Sequence, residues 1–169
     1  EEAIEVERDM FESLNRQAVM RIDTTQLYQA DLKKILMDKL ELNSSQVFSV
    51  SFISFGYKYG VPLDADLIFD MRFLPNPFYV DELKDLTGDD QAVYDYVIRS
   101  EETKQLLFHI TQYLDFCFSS YAKENKNHLT VCIGCTGGHH RSVSVANWLF
   151  DHYKGQYHCF KSHRDMKAR

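Results

Sequence analysis

No run of apolar residues in this chain is longer than a few positions, which excludes a helix able to cross a bilayer. Nor does the start carry the basic and then apolar stretches of a secretory signal. Cysteine is sparse: Cys132 and Cys135 lie close together in an apolar stretch while Cys117 and Cys159 stand alone, which is no disulfide framework. These absences predict a cytoplasmic protein with reduced thiols and no membrane partner. Three prolines and seven glycines, with no internal repeat or low-complexity tract, exclude a disordered or fibrous chain. A Walker A sequence is also missing, so P-loop nucleotide hydrolysis has no place among these residues. The chain does not begin with methionine and opens inside a helical pattern, so it is read as a piece of a longer protein.

What is present is the composition of a folded domain, 44% hydrophobic and 14% aromatic, in a length of 169 residues that suits one ordinary domain with a small appendage. Charge is distributed unevenly. From His152 to Arg169 five basic residues face one acid, Asp165, whereas residues 1–151 hold 14 basic and 24 acidic side chains. A basic end on an acidic body suits an anionic partner.

Apolar spacing predicts helices over 3–17 and 29–40, with a short strand between them at 18–22. Asn43, Ser44 and Ser45 then mark a boundary. Beyond it, strands are predicted at 46–55, 66–73, 128–134 and 156–160, and helices at 91–99, 101–121 and 142–153. Alternation of this kind predicts an α/β or mixed α+β fold, a layered sheet with helices. The strand at 66–73 ends on Asp70 and Arg72 before Pro75-Asn76-Pro77, so polar groups collect at its exit.

The segment with most chemistry is Cys135-Thr136-Gly137-Gly138-His139-His140-Arg141-Ser142, set between an apolar strand and an amphipathic helix. A helix start leaves backbone N–H groups unpaired and carries partial positive charge, which makes a strand-loop-helix anion site. Gly137 and Gly138 let the main chain curl around the anion, and Arg141 adds a planar fork for two oxygens. Thr136, Ser142, His139 and His140 offer further donors.

Two other readings stay open. The glycines make only a tight turn, with Arg141 paired to a carboxylate. Alternatively, the Cys-x5-Arg-Ser spacing of Cys135 and Arg141 marks a cysteine-dependent phosphatase, with Cys135 as nucleophile. That chemistry needs a general acid, no Trp-Pro-Asp element is present, and Gly134 stands where such enzymes have His. Cys132 and Cys135 also spell C-x-x-C, but no further ligands follow at zinc spacing, so Cys132 is read as a buried thiol and no metal is expected.

Three stretches, SFGYKYG at 54–60, FDMRFLPNP at 69–77 and GCTGGHHRS at 134–142, occur in the order found in the RapZ/YvcJ family, which the chain closely resembles from about Val47 onward. The resemblance implies that residues 1–45 are the end of a P-loop nucleotide-binding domain plus linker, and that 46–169 form a C-terminal ligand- and partner-binding domain. It implies a sensor of a phosphorylated sugar such as glucosamine 6-phosphate, which also binds small RNA and serves as adaptor for a ribonuclease. ATP or GTP binding and hydrolysis would belong to the full-length protein, and no cofactor to this chain. Carried over by motif, Asp70, Thr136, Gly137 and Arg141 become sugar-phosphate contacts, with Lys58, Arg72 and Cys135 nearby. Phe78 departs from the adaptor branch, which has His there.

Asp70 has two readings, a contact to a sugar hydroxyl or ammonium and a surface pair with Arg72. The basic end also has two: Lys161, Arg164, Lys167 and Arg169 either hold a nucleic-acid backbone beside Tyr157 and Phe160, or form a solvated terminal face. A metabolite-reporting protein-interaction domain without RNA competes with the adaptor reading. A homo-oligomer fits both.

Overall fold

The computed structural model describes residues 4–6, 11, 20–39, 48–124 and 126–166. The chain divides into two compact units, Glu1–Ser45 and Gln46–Arg169. In the first, helix α1 spans Gln29–Lys39, with Asp31 in its first turn and Lys39 in its last, each complementing the helix dipole. Leu32, Ile35 and Leu36 share a half-buried stripe. The strand predicted at 18–22 is not found over Met20, Arg21 and Ile22. Directly after them the Asp23 carboxylate accepts the Thr25 N–H at 2.9 Å, and this local turn replaces extended pairing. Positions 18 and 19, and most of the helix predicted over 3–17, lie outside the described residues; Ile4, Glu5, Val6 and Phe11 are helical.

The second unit is a mixed α/β layer. Strands β1 (Ser49–Gly56), β2 (Leu67–Asp70), β3 (His128–Cys135) and β4 (His158–His163) form one parallel sheet in the order β2-β3-β1-β4. Helices α2 (Gln91–Ile98) and α3 (Glu101–Lys123) connect β2 to β3, and α4 (Arg141–Tyr153) connects β3 to β4. Ser100 caps α3 by accepting the Thr103 N–H at 3.2 Å.

Alternation along the strands decides which face is covered. Phe48, Val50 and Phe52 lie beside Leu129, Val131 and Ile133, all buried, and α3 and α4 pack on them. Phe52 stacks on Tyr153 at 5.9 Å, and Phe118 meets Tyr153 at 5.1 Å and Phe48 at 5.5 Å. Each such burial contributes roughly 1.5–3 kcal/mol relative to exposure. On the other face Phe55 is buried beneath the Tyr57 ring, at 4.9 Å, while Ile68 and Phe160 are exposed.

β1 begins at Ser49 and not at 46, β3 runs one residue further than predicted, and β2 and β4 differ for reasons that the hydrogen bonds show. β2 ends at Asp70 instead of 73, because the Asp70 carboxylate accepts the Arg72 N–H at 2.9 Å and Leu74 N–H turns back to the Met71 carbonyl. β4 starts at His158 instead of 156 and runs to His163, because Gln156 and Tyr157 still donate to the Tyr153 carbonyl at the end of α4.

Candidate functional site

The connections leaving β1 and β3, the two central strands, travel in opposite directions across the sheet, one to β2 and the other to β4. Ligand crevices in parallel sheets form at the carboxyl ends of strands where the direction switches. Here that point is the register pair Gly56↔Cys135. The sequence places its glycine loop there.

Two glycine stretches interlock at this point. A Cβ on Gly56 would lie 2.6 Å from the Gly137 carbonyl carbon, and Gly138, at φ +77°, would bring a Cβ to 2.8 Å from the Gly56 nitrogen. Neighbouring N–H groups take two of the turn's carbonyls: Lys58 donates to Thr136 at 3.2 Å and Gly88 to His139 at 2.8 Å. Acceptors that would repel an anion are thereby consumed. His140 occupies the N-cap position of α4 without any side-chain cap, so the helix start keeps its unpaired donors.

Below the turn, the Cys135 sulfur accepts the Gly138 N–H at 3.2 Å and shares a hydrogen bond with the Ser142 hydroxyl at 3.1 Å. Arg141, 5% exposed, donates from Nη1 to the carbonyls of Arg72 and Leu74 and from Nη2 to Thr136 Oγ1, while its Nε is buried without a partner. The guanidinium thus ties the chain after β2 to the glycine turn. It pairs with carbonyls and a hydroxyl, not with a carboxylate as the tight-turn reading supposes.

A cavity of about 390 Å³ opens above, lined by Cys135, Thr136, Gly137, His139, His140 and Arg141 of the loop, and by Lys58. Gly138 and Ser142 support the loop from below and do not line it. Asp70 and Arg72 stand outside the lining, locked to each other by four hydrogen bonds of 2.7–3.0 Å, with Arg72 over the Tyr57 ring at 4.0 Å. The Arg72 bond holds the Asp70 carboxyl below its ordinary value. Lys161 is exposed on β4, 5.3 Å from the Phe150 ring, whereas Arg164 is committed to the fold through Asp165 and the Gly60 carbonyl. Lys167 and Arg169 lie outside the described residues.

Sequence reasoning missed two parts of the site. Asn76 and Tyr79 line the cavity on either side of Phe78, the position the sequence had already set apart, at a 3-10 turn over Pro77–Tyr79. Asp165 lies buried behind the loop and accepts the Gly56 N–H at 2.7 Å. Burial raises its pKa, but the Arg164 and Gly56 hydrogen bonds outweigh this and hold its carboxyl below the usual value. The signal was there: it is the lone acid in a basic stretch. Cys132, within β3, is buried and its thiol is pushed up to about 11 by burial, which suits an inert core group. Among the described residues no cluster of three or more His, Cys, Asp or Glu is arranged to hold a metal ion, and no helix is long and apolar enough to cross a membrane.

The family described as the RapZ C-terminal domain matches residues 48–167. Over 168 residues, 99% of this chain, the sequence is 44% identical to a nucleotide-binding protein of Shouchella clausii and 40% identical to the nucleotide-binding protein YvcJ of Bacillus subtilis. A nucleotide-binding protein of Bacillus cereus is 42% identical over 166 residues, or 98% of the chain. The chain spans 57% of the length of each of these relatives.

Proposed function

We propose a phosphate-sensing role, and its premise is plain: the chain belongs to the RapZ C-terminal domain family. In this reading the loop from Cys135 to Ser142 grips the phosphate of a small phosphorylated metabolite, with Lys58 and Arg141 supplying charge. The supporting observation is Arg141, buried at the cavity wall with Nε unpartnered beside an uncapped helix start. A sugar phosphate such as glucosamine 6-phosphate is the first ligand to try, on the family resemblance. Calorimetric titration should show binding of that compound and none of glucosamine, with Arg141→Ala abolishing it. Equal binding of the two would sink the phosphate grip.

The same proposal makes the domain an adaptor that reports ligand occupancy to a small RNA, a ribonuclease or another protein. Lys161, over the Phe150 ring on the helix-covered face of β4, is the described part of this proposed RNA surface, with Arg164 reserved for the fold. RNA affinity that is insensitive to salt, or to Lys161→Glu, counts against that surface. ATP or GTP chemistry in the longer relatives is assigned to residues outside this chain, which has no Walker A sequence.

One observation favours a second reading, cysteine-dependent phosphate ester hydrolysis. The Cys135 sulfur sits at a helix start, hydrogen-bonded to the Gly138 N–H and the Ser142 hydroxyl, which holds it in place at the floor of the anion loop. Among the described residues no carboxylate lines the cavity, so His139 or His140 would have to protonate the leaving oxygen. Turnover of p-nitrophenyl phosphate that disappears in Cys135→Ser would establish it; absence of any Cys135-dependent rate dismisses it.

A further inference from the structure

The cavity has a floor suited to phosphate and a rim of a different character. Phe78 and Tyr79, 60% and 84% exposed, are adjacent large rings left in water at the cavity mouth. They are held in place and not merely loose. Pro77 is buried, the Asn76 side chain accepts the Phe78 N–H at 3.3 Å, and the Val80 N–H closes the turn on the Pro77 carbonyl at 3.0 Å. The two rings meet edge to face, 5.9 Å apart at 76°, forming an aromatic corner at the mouth.

The polar lining is equally selective. Lys58, His139, His140 and Arg141 supply positive or protonatable nitrogen, and among the described residues no carboxylate lines the cavity. The ammonium of an amino sugar would find neutral acceptors such as Thr136 and Asn76 in this lining but no carboxylate among the described residues. Asp70, the acid that motif matching offers for it, is occupied by Arg72. The cavity also continues past Phe78, His139 and His140 into a second hollow of about 420 Å³ that reaches Leu86, Thr87 and Met166, so there is room beyond one hexose ring. Asp85 is the one carboxylate in that second hollow.

Resting on the phosphate grip proposed above, we infer that the ligand is a nucleoside 5′-monophosphate, with its phosphate in the loop at 135–142 and its base stacked against Phe78 or Tyr79. A planar base has the π-face that an aromatic corner accepts, whereas a hydroxyl-covered sugar calls for carboxylates and several amides, and the described lining offers it the single side-chain amide of Asn76. The Phe at position 78 is then the residue that shifts the site from a polar ring to an aromatic one.

The test is a titration of the 169-residue chain with AMP, GMP, CMP, UMP, ribose 5-phosphate, glucosamine 6-phosphate and inorganic phosphate. Because the chain has no Walker A sequence, any nucleotide affinity arises elsewhere than in a P-loop. At least one nucleotide should bind roughly tenfold or more tighter than ribose 5-phosphate, and Phe78→Ala with Tyr79→Ala should erase that advantage while leaving inorganic phosphate binding unchanged. A 5′-phosphorylated dinucleotide separates the two sources of this group: weaker binding than the mononucleotide identifies a free nucleotide, tighter binding the end of a strand. If ribose 5-phosphate or glucosamine 6-phosphate binds as tightly as every nucleotide, and Arg141→Ala abolishes that binding, the base is not read and only the phosphate grip survives. If none of the seven probes binds, both fall.

Discussion

The floor and the rim of the cavity are built on opposite principles. At the floor, main-chain atoms do the work: Gly56 and Gly138 are packed too closely for any Cβ, and Cys135, Arg141 and Ser142 are buried. At the rim, a short turn fixes the backbone and then exposes two large side chains that support nothing beneath them. A floor of this kind can change only by breaking the fold, whereas the rim can change freely. In the proposed reading, recognition of the phosphate is therefore tied to stability, and recognition of the rest of the ligand is not.

The hardest test of that separation is Gly138→Ala. At φ +77°, with the new Cβ at 2.8 Å from the Gly56 nitrogen and 3.0 Å from the Asp165 Cβ, it should cost about 2–4 kcal/mol in urea unfolding and remove phosphate binding together with it. Next is Asp165→Ala, which leaves the buried Gly56 N–H without an acceptor and should cost about 1–3 kcal/mol. Asp165→Asn, which retains an acceptor, should cost less, and equal losses would show that charge matters more than the hydrogen bond.

Acid should act on the floor in a smaller and graded way. Burial lowers the pKa of His140, with His139 and Arg141 adding to it and the Leu86 and Lys84 backbone opposing. Burial also lowers His163, where Lys161 adds and Asp89 opposes. Both rings are therefore more readily protonated in the unfolded chain. Their contribution to stability is complete above the ordinary histidine value of about 6.5 and is lost as pH falls below it towards their folded values. The melting temperature should decline over that window, and a profile flat from pH 7 to pH 5 would contradict it. The smallest effect is expected from Tyr79→Ala, within about 0.5 kcal/mol of the parent in stability, because the ring covers no core. A large loss would mean that the rim is structural after all.

The glycine loop and its helix were legible because strand, turn and helix start are contiguous, and because 3.6-residue spacing on α4 is unambiguous. The two-residue periodicity of β1 was equally plain. What escaped was everything brought in across space. Asp165 lies 109 residues from Gly56, and no local pattern marks it as the acceptor for that amide. Arg164 looked like surface charge in a basic tail, and only the tertiary structure shows its guanidinium bound to Asp165 and the Gly60 carbonyl. The ends of β2 and β4 moved because side-chain and helix-end hydrogen bonds competed with the ladder, and those bonds lie outside simple periodicity.

β1 is the second strand from one edge of the sheet but the first to emerge in sequence, and both its neighbours come much later: Ser49 pairs with His128 on one side and with His158 on the other. Loops of that length must close before either ladder forms, which makes the order of assembly slow and late. During synthesis the glycine loop would exist as chain well before it exists as a floor, since the carboxylate that pins Gly56 is Asp165. A chain that ends anywhere before that residue lacks the acceptor for the Gly56 amide, so in the proposed reading the cavity becomes competent only once synthesis has passed Asp165.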